Sequence, residues 1–142
     1  MVTAIHVENL VKIYPGGVRG VDGVSFDVEQ GEIFGLIGPN GSGKTTTLRI
    51  LATIIKPTSG VAKVMGFDVV KESQKVRQVV AYLPEEAGAY RDLKGVEFLE
   101  FVLGMRFRGK DLEAAVEEAA KISGLGRDLY RSVKTYSRGM KR

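Results

Sequence analysis

The feature that most constrains how this 142-residue chain can fold is the run Gly38-Pro39-Asn40-Gly41-Ser42-Gly43-Lys44-Thr45. It directly follows the apolar stretch Ile33-Phe34-Gly35-Leu36-Ile37 and directly precedes Thr46-Thr47-Leu48-Arg49-Ile50-Leu51, so the order reads strand, glycine loop, helix. Phosphate oxygens must be met at close range by donors, and successive backbone N–H groups converge on one oxygen only where no Cβ blocks the approach. Gly38, Gly41 and Gly43 remove those Cβ atoms and permit positive φ. The loop opens into a helix N-terminus, where unpaired N–H groups and the positive end of the macrodipole attract an anion. Lys44 adds a full charge on a stem long enough for the terminal phosphates, and the Thr45 hydroxyl offers an oxygen to a bridging Mg²⁺. A bland alternative, a glycine-rich turn before a helix, has to contend with the fact that both flanks have the required character.

Composition bounds the rest. With 44% hydrophobic and 27% charged residues the chain reads as soluble and globular, and with no Cys it carries neither a disulfide framework nor a thiolate metal site. No apolar run approaches the about 18 residues that a bilayer requires, and the N-terminus shows no signal-peptide pattern, so a cytosolic location is expected. The net charge of +4 comes from scattered Lys and Arg with one cluster at the end; a solvated basic surface and nucleic-acid binding explain it equally well.

Residues 4–11 alternate loosely and predict a half-buried antiparallel strand, with His6 on the polar phase and no role assigned to it. Tyr14-Pro15-Gly16-Gly17 is a turn, followed by an extended segment at 18–21 and a third strand at 24–28. Tyr14 is either a core or turn tyrosine or an aromatic face for a base. Lys56-Pro57-Thr58-Ser59-Gly60 stops the loop's helix; a short strand at 61–65, a turn at 66–68 and a helix at 69–78 follow. Val79-Val80-Ala81-Tyr82-Leu83, ended by Pro84, predicts a second buried parallel strand, with Glu85 at its carboxyl end. Residues 93–107 form a helix apolar almost all round, either core or partner-facing. Residues 111–123 form an amphipathic helix with Asp111 as N-cap and Leu112, Ala115, Val116, Ala119 and Ile122 on one face.

Four separated features then match one family. Tyr14 after the first strand, the loop GPNGSGKTT with its lead-in from Gly31, the turn Lys56 to Gly60, and Tyr82-Leu83-Pro84-Glu85 together resemble the ATP-binding cassette (ABC) ATPases. The resemblance implies an α/β P-loop nucleoside triphosphate hydrolase fold of ABC type: an antiparallel β part (1–31), a P-loop α/β core (32–84), and a helical subdomain with the signature motif (85–142). It implies ATP and Mg²⁺ as cofactors. Tyr14 would stack on adenine, residues 38–46 (Pro39, Asn40, Ser42 and Thr46 included) would hold the phosphates, and Thr45 and Glu85 would face the metal. Glu85 stands where the family usually has Gln. The signature appears as Tyr136-Ser137-Arg138-Gly139-Met140, in which Ser137 and Gly139 keep the groups that address the γ-phosphate on a second subunit. Arg138 and Met140 depart from the family pattern.

The family continues past the signature into the Walker B strand, with its Mg²⁺-orienting Asp and catalytic Glu, and a later His. None of these is in the chain, so no catalytic residue is assigned, the core sheet is expected to be incomplete with apolar surface left unpaired, and the isolated chain is expected to bind ATP without turning it over. In full-length form the resemblance implies a subunit coupling ATP to membrane transport, with export favoured. It would lie on the inner face of the membrane, with a transmembrane permease and a second nucleotide-binding subunit, head to tail, as partners and no direct nucleic-acid contact. The alternatives are a soluble ABC ATPase acting on ribosomes or nucleic acid, and a truncated, non-catalytic nucleotide-binding protein.

Overall fold

The computed structural model describes residues 2–84 and 90–141, and it divides into two compact units, Met1–Tyr82 and Leu83–Arg142. Glu85, the proposed metal-facing carboxylate, lies outside the described residues.

The first unit is built on a four-stranded antiparallel sheet of order β2-β1-β3-β4, with β1 Thr3–Ile13, β2 Arg19–Glu29, β3 Ser59–Val64 and β4 Phe67–Asp68. Val7 and Leu10 of β1 are both buried in one core although they stand three residues apart. Strict alternation would send them to opposite faces. A bulge resolves this: the register shifts between Val7 and Leu10, and Asn9 takes φ 46° with its N–H donated to Ser25 Oγ at 2.8 Å. Across the sheet, Gly60 accepts the distortion. A Cβ there would collide with the carbonyl oxygen of Asn9, and the φ of +86° suits glycine.

Onto this sheet pack α1 (Lys44–Leu51), through Ile50 and Leu51, and α2 (Ser73–Val79), through Val76; with Val21, Ala62, Val64 and Val69 they complete the core. The extended segments expected at 18–21 and 24–28 are one strand, β2. The helix expected at 69–78 begins only at Ser73, because Asp68 Oδ1 accepts the N–H groups of Val70 (2.8 Å) and Lys71 (2.9 Å) and holds 69–72 as a turn.

Neither buried parallel strand forms among the described residues. Residues 33–37 and 80–83 belong to no ladder, and Ile33 (100%) and Ile37 (98%) are fully exposed. A strand exists only by pairing, and no described segment lies alongside these residues to pair with them. Phe34 finds partial cover by stacking on Phe26, with ring centroids 5.0 Å apart and planes 12° from parallel.

The second unit contains α3 (Gly95–Leu103), α4 (Gly109–Ser123) and two 3₁₀ turns, Gly126–Tyr130 and Val133–Thr135. Its beginning and end are tied together. Val133 N–H donates to Leu93 O (2.9 Å), Lys134 N–H to Arg91 O (3.0 Å), Gly95 N–H to Arg131 O (3.2 Å) and Ser132 Oγ to Arg91 O (3.0 Å). Three sequence expectations need correction here. α4 starts before Asp111, which sits inside the first turn rather than at the N-cap, where its charge still complements the helix dipole. Ile122, assigned to the apolar face, is exposed. α3 is shorter than the apolar run suggests, and Phe101, Val102 and Met105 stand in solvent, with Tyr90 edge-on to Phe101 at 5.1 Å.

Candidate nucleotide-binding site

The glycine loop is closed by its own groups. Ser42 N–H donates to Pro39 O at 3.2 Å, and Lys44 Nζ folds back over the loop to donate to Gly38 O (2.6 Å) and Pro39 O (2.7 Å), with Ser42 Oγ at 3.5 Å. The lysine therefore spans the concavity of the loop, where its charge meets two carbonyl dipoles. Gly41 and Gly43 have φ of 84° and 93°, as the phosphate-cradle argument requires, whereas Gly38 does not need positive φ; a Cβ there would stand 2.7 Å from Ser42 Oγ.

The loop feeds α1 directly. Gly43 is the N-cap, and the first helical N–H to find a carbonyl is that of Thr47, on Gly43 O at 2.8 Å. Lys44, Thr45 and Thr46 precede it, so their N–H groups have no intrahelical acceptor and present donors at the loop. Thr47 Oγ1 adds a second bond to Gly43 O at 2.9 Å and is buried, which fixes the helix start from beneath. Thr45 is exposed, and among the described residues its hydroxyl has no protein partner. A hard cation's oxygen ligand at the mouth of a phosphate loop requires that freedom, so the residue fits Mg²⁺.

Tyr14 stands beside this loop. Its hydroxyl is 3.1 Å from Thr46 Oγ1. Backbone bonds hold the turn it opens, from Tyr14 N–H to Val18 O (2.8 Å) and from Gly17 N–H to Tyr14 O (3.0 Å). The end of β1 is anchored to the 56–60 turn, where Lys12 Nζ donates to Lys56 O (2.7 Å) and Ile13 N–H to Thr58 Oγ1 (2.9 Å). Two residues of this neighbourhood were not singled out by the sequence. Lys12 brings its ammonium 5.5 Å from the Tyr14 ring centroid, and Gly20 makes room for the ring, since a Cβ on it would lie 2.5 Å from Tyr14 Cε2. No local pattern marks Gly20, because its contacts are made across the hairpin to Tyr14 and onto α1 at Thr46.

In the second unit, Ser137 caps a final turn: its Oγ accepts the Met140 N–H at 3.3 Å and its carbonyl the Lys141 N–H at 3.2 Å. Gly139 lies within that turn, exposed and without close neighbours. Tyr136 anchors the segment, buried and donating its hydroxyl to Asp128 O at 2.6 Å against Gly95. Burial, with the nearby Asp128 carboxylate, pushes the Tyr136 phenol above its ordinary range.

The family model described as ABC transporter matches residues 21–142. The chain belongs to the ABC transporter family. A curated relative within that family, the daunorubicin/doxorubicin resistance ATP-binding protein DrrA of Streptomyces peucetius, is 42% identical over 98% of this chain and 42% of its own length. The bacitracin transport ATP-binding protein BcrA of Bacillus licheniformis is 35% identical over 99% of this chain and 45% of its own length. The chain thus spans less than half of either relative. Among solved structures, the ATP-binding cassette MJ0796 in a dimeric post-hydrolysis state bound to ADP and Pi superposes with a TM-score of 0.83 at 21% identity, covering 96% of this chain and 65% of that one. The cbiO1 protein of Clostridium perfringens, part of the ABC transporter complex cbiONQ, superposes with a TM-score of 0.81 at 21% identity, covering 99% and 58%. The fold is that of an ABC nucleotide-binding domain with a P-loop.

Proposed function

We propose that the chain is the ATP-holding part of an ABC transporter subunit, with ATP and Mg²⁺ as its ligands. The observation that carries this is the loop of residues 38–45, which delivers the Lys44 ammonium and the unpaired N–H groups of a helix start to one concavity. In this role Lys44 exchanges the Gly38 and Pro39 carbonyls for β- and γ-phosphate oxygens. Loop and helix N–H groups from Gly41 to Thr46 meet the phosphate tail, with Pro39, Asn40 and Ser42 completing the rim. Tyr14 takes the adenine face, and the Thr45 hydroxyl, with Glu85, serves Mg²⁺. The bound metal neutralises and orients the terminal phosphates.

Ser137 and Gly139 would address the γ-phosphate held by a second copy, head to tail, and a transmembrane permease would receive the resulting motion at the inner face of the membrane. Support for transport comes from relatives named for daunorubicin/doxorubicin resistance and bacitracin transport, and export is the direction we favour. Among the described residues no helix is long and apolar enough to cross a membrane.

Isothermal titration of the chain with MgATP tests the assignment. Saturable binding that Lys44→Ala abolishes is expected. Binding of equal strength in Lys44→Ala would overturn it.

A further inference from the structure

Tyr14 and α1 are joined by more than proximity. The phenol oxygen lies 3.1 Å from Thr46 Oγ1, and Gly20 occupies the space between them: a Cβ there would meet Tyr14 Cε2 at 2.5 Å and Thr46 Cγ2 at 3.2 Å. On its other side Gly20 abuts the loop, because its carbonyl oxygen occupies the place a Cβ on Gly43 would take. Both hydroxyls are part-buried, so their bond competes with water less than a surface pair would. Tyr14 itself opens a turn rich in glycine, which by itself sets no orientation for the ring.

We infer that Thr46 and Gly20 are positioning residues for Tyr14: the Thr46 hydroxyl and the missing side chain at Gly20 fix the ring against the first turn of α1, locking the base platform to the phosphate loop. The two ends of a nucleotide are then gripped by parts held in one register, and the ordering of the ring is completed before a ligand arrives. Thr46, on a phosphate-loop helix, thereby contributes to selection of the base.

Because this rests on the assignment of Tyr14 to adenine, the experiment separates the two. The readout is the ratio of affinities of the 142-residue chain for MgATP and for magnesium tripolyphosphate, which has no base. Tyr14→Phe keeps the aromatic face and removes only the hydroxyl; Thr46→Val keeps the shape and removes the partner. Each is expected to lower the ratio about three- to tenfold, the scale of one hydrogen bond, and the double variant to lower it no further than either alone. Gly20→Ala is expected to lower it as well by displacing the ring. A ratio unmoved by Tyr14→Phe, or losses that add in the double variant, would overturn the inference. If Tyr14→Ala also leaves the ratio unchanged, the adenine assignment itself fails; if Tyr14→Ala lowers it while Tyr14→Phe and Thr46→Val do not, only the positioning role fails.

Discussion

The backbone of Gly43 is pressed against the carbonyl oxygen of Gly20, so that β2 and the phosphate loop touch where neither has a side chain. Gly43 also holds φ of +93°, caps α1 and accepts two bonds from Thr47 through its carbonyl. Gly43→Ala therefore combines a strained backbone with a collision that no rotamer relieves. A loss of about 1–3 kcal/mol in unfolding free energy is expected, accompanied by loss of MgATP binding. Urea denaturation with parallel titration calorimetry checks both, and a variant as stable as the parent would show that the loop can move away from β2.

The loop was legible in the sequence because its requirements are local: glycine where φ is positive, lysine and threonine one step later, apolar residues on either side. The β1–β2 and β3 strands were legible for a similar reason. What was not legible depended on partners distant in the chain. Residues 33–37 have the composition of a buried strand, yet a strand is defined by its neighbours and the described residues supply none. Nothing in residues 4–11 announced the bulge at Asn9 that brings Leu10 into the core beside Val7, and the Tyr14 to Thr46 bond joins positions 32 residues apart. Asp111 misled because an acidic residue is equally at home at an N-cap and inside a first turn.

Gly60→Ala probes the β1 bulge in isolation from the loop. Its new methyl would overlap the Asn9 carbonyl and approach Leu10 Cα to 2.7 Å, at a φ of +86°. About 2–3 kcal/mol of destabilisation is expected, in the range of backbone strain combined with overpacking. A shift of the denaturation midpoint with unchanged m-value is the measurement.

The second unit should respond to alkali through Tyr136. Its phenol is pushed above the ordinary tyrosine value of 10.0, chiefly by burial, so the folded state holds the proton more tightly than the unfolded state does. The resulting stabilisation is complete below pH 10.0 and disappears as pH rises from there through the folded-state pKa. Tyr136→Phe removes this dependence and, by leaving Asp128 O without its donor, costs about 1 kcal/mol at neutral pH. Thermal melts of parent and variant at neutral pH and above pH 10 compare the two slopes; equal slopes would show that Tyr136 is not the titrating group.

Ile33 and Ile37 present an apolar ridge with no cover among the described residues. Self-association of the chain through such surface is expected. The double variant Ile33→Lys, Ile37→Lys should bring the mass measured by analytical ultracentrifugation toward the 15.5 kDa of a single chain. A parent chain that sediments as a monomer across the concentration range would contradict this.

The bonds between residues 91–95 and 131–134 give the second unit the form of a clasped loop. Both strands of backbone entering and leaving the helices pass through one fastening, and Ser137 hangs three residues beyond it. The spacing between the clasp and Ser137 is thus independent of how long the helices are. Residues added to the exposed connection between α3 and α4, around Arg108, would lengthen the arm while leaving the Ser137 turn where it stands, so that this unit can vary its reach without retuning its tip.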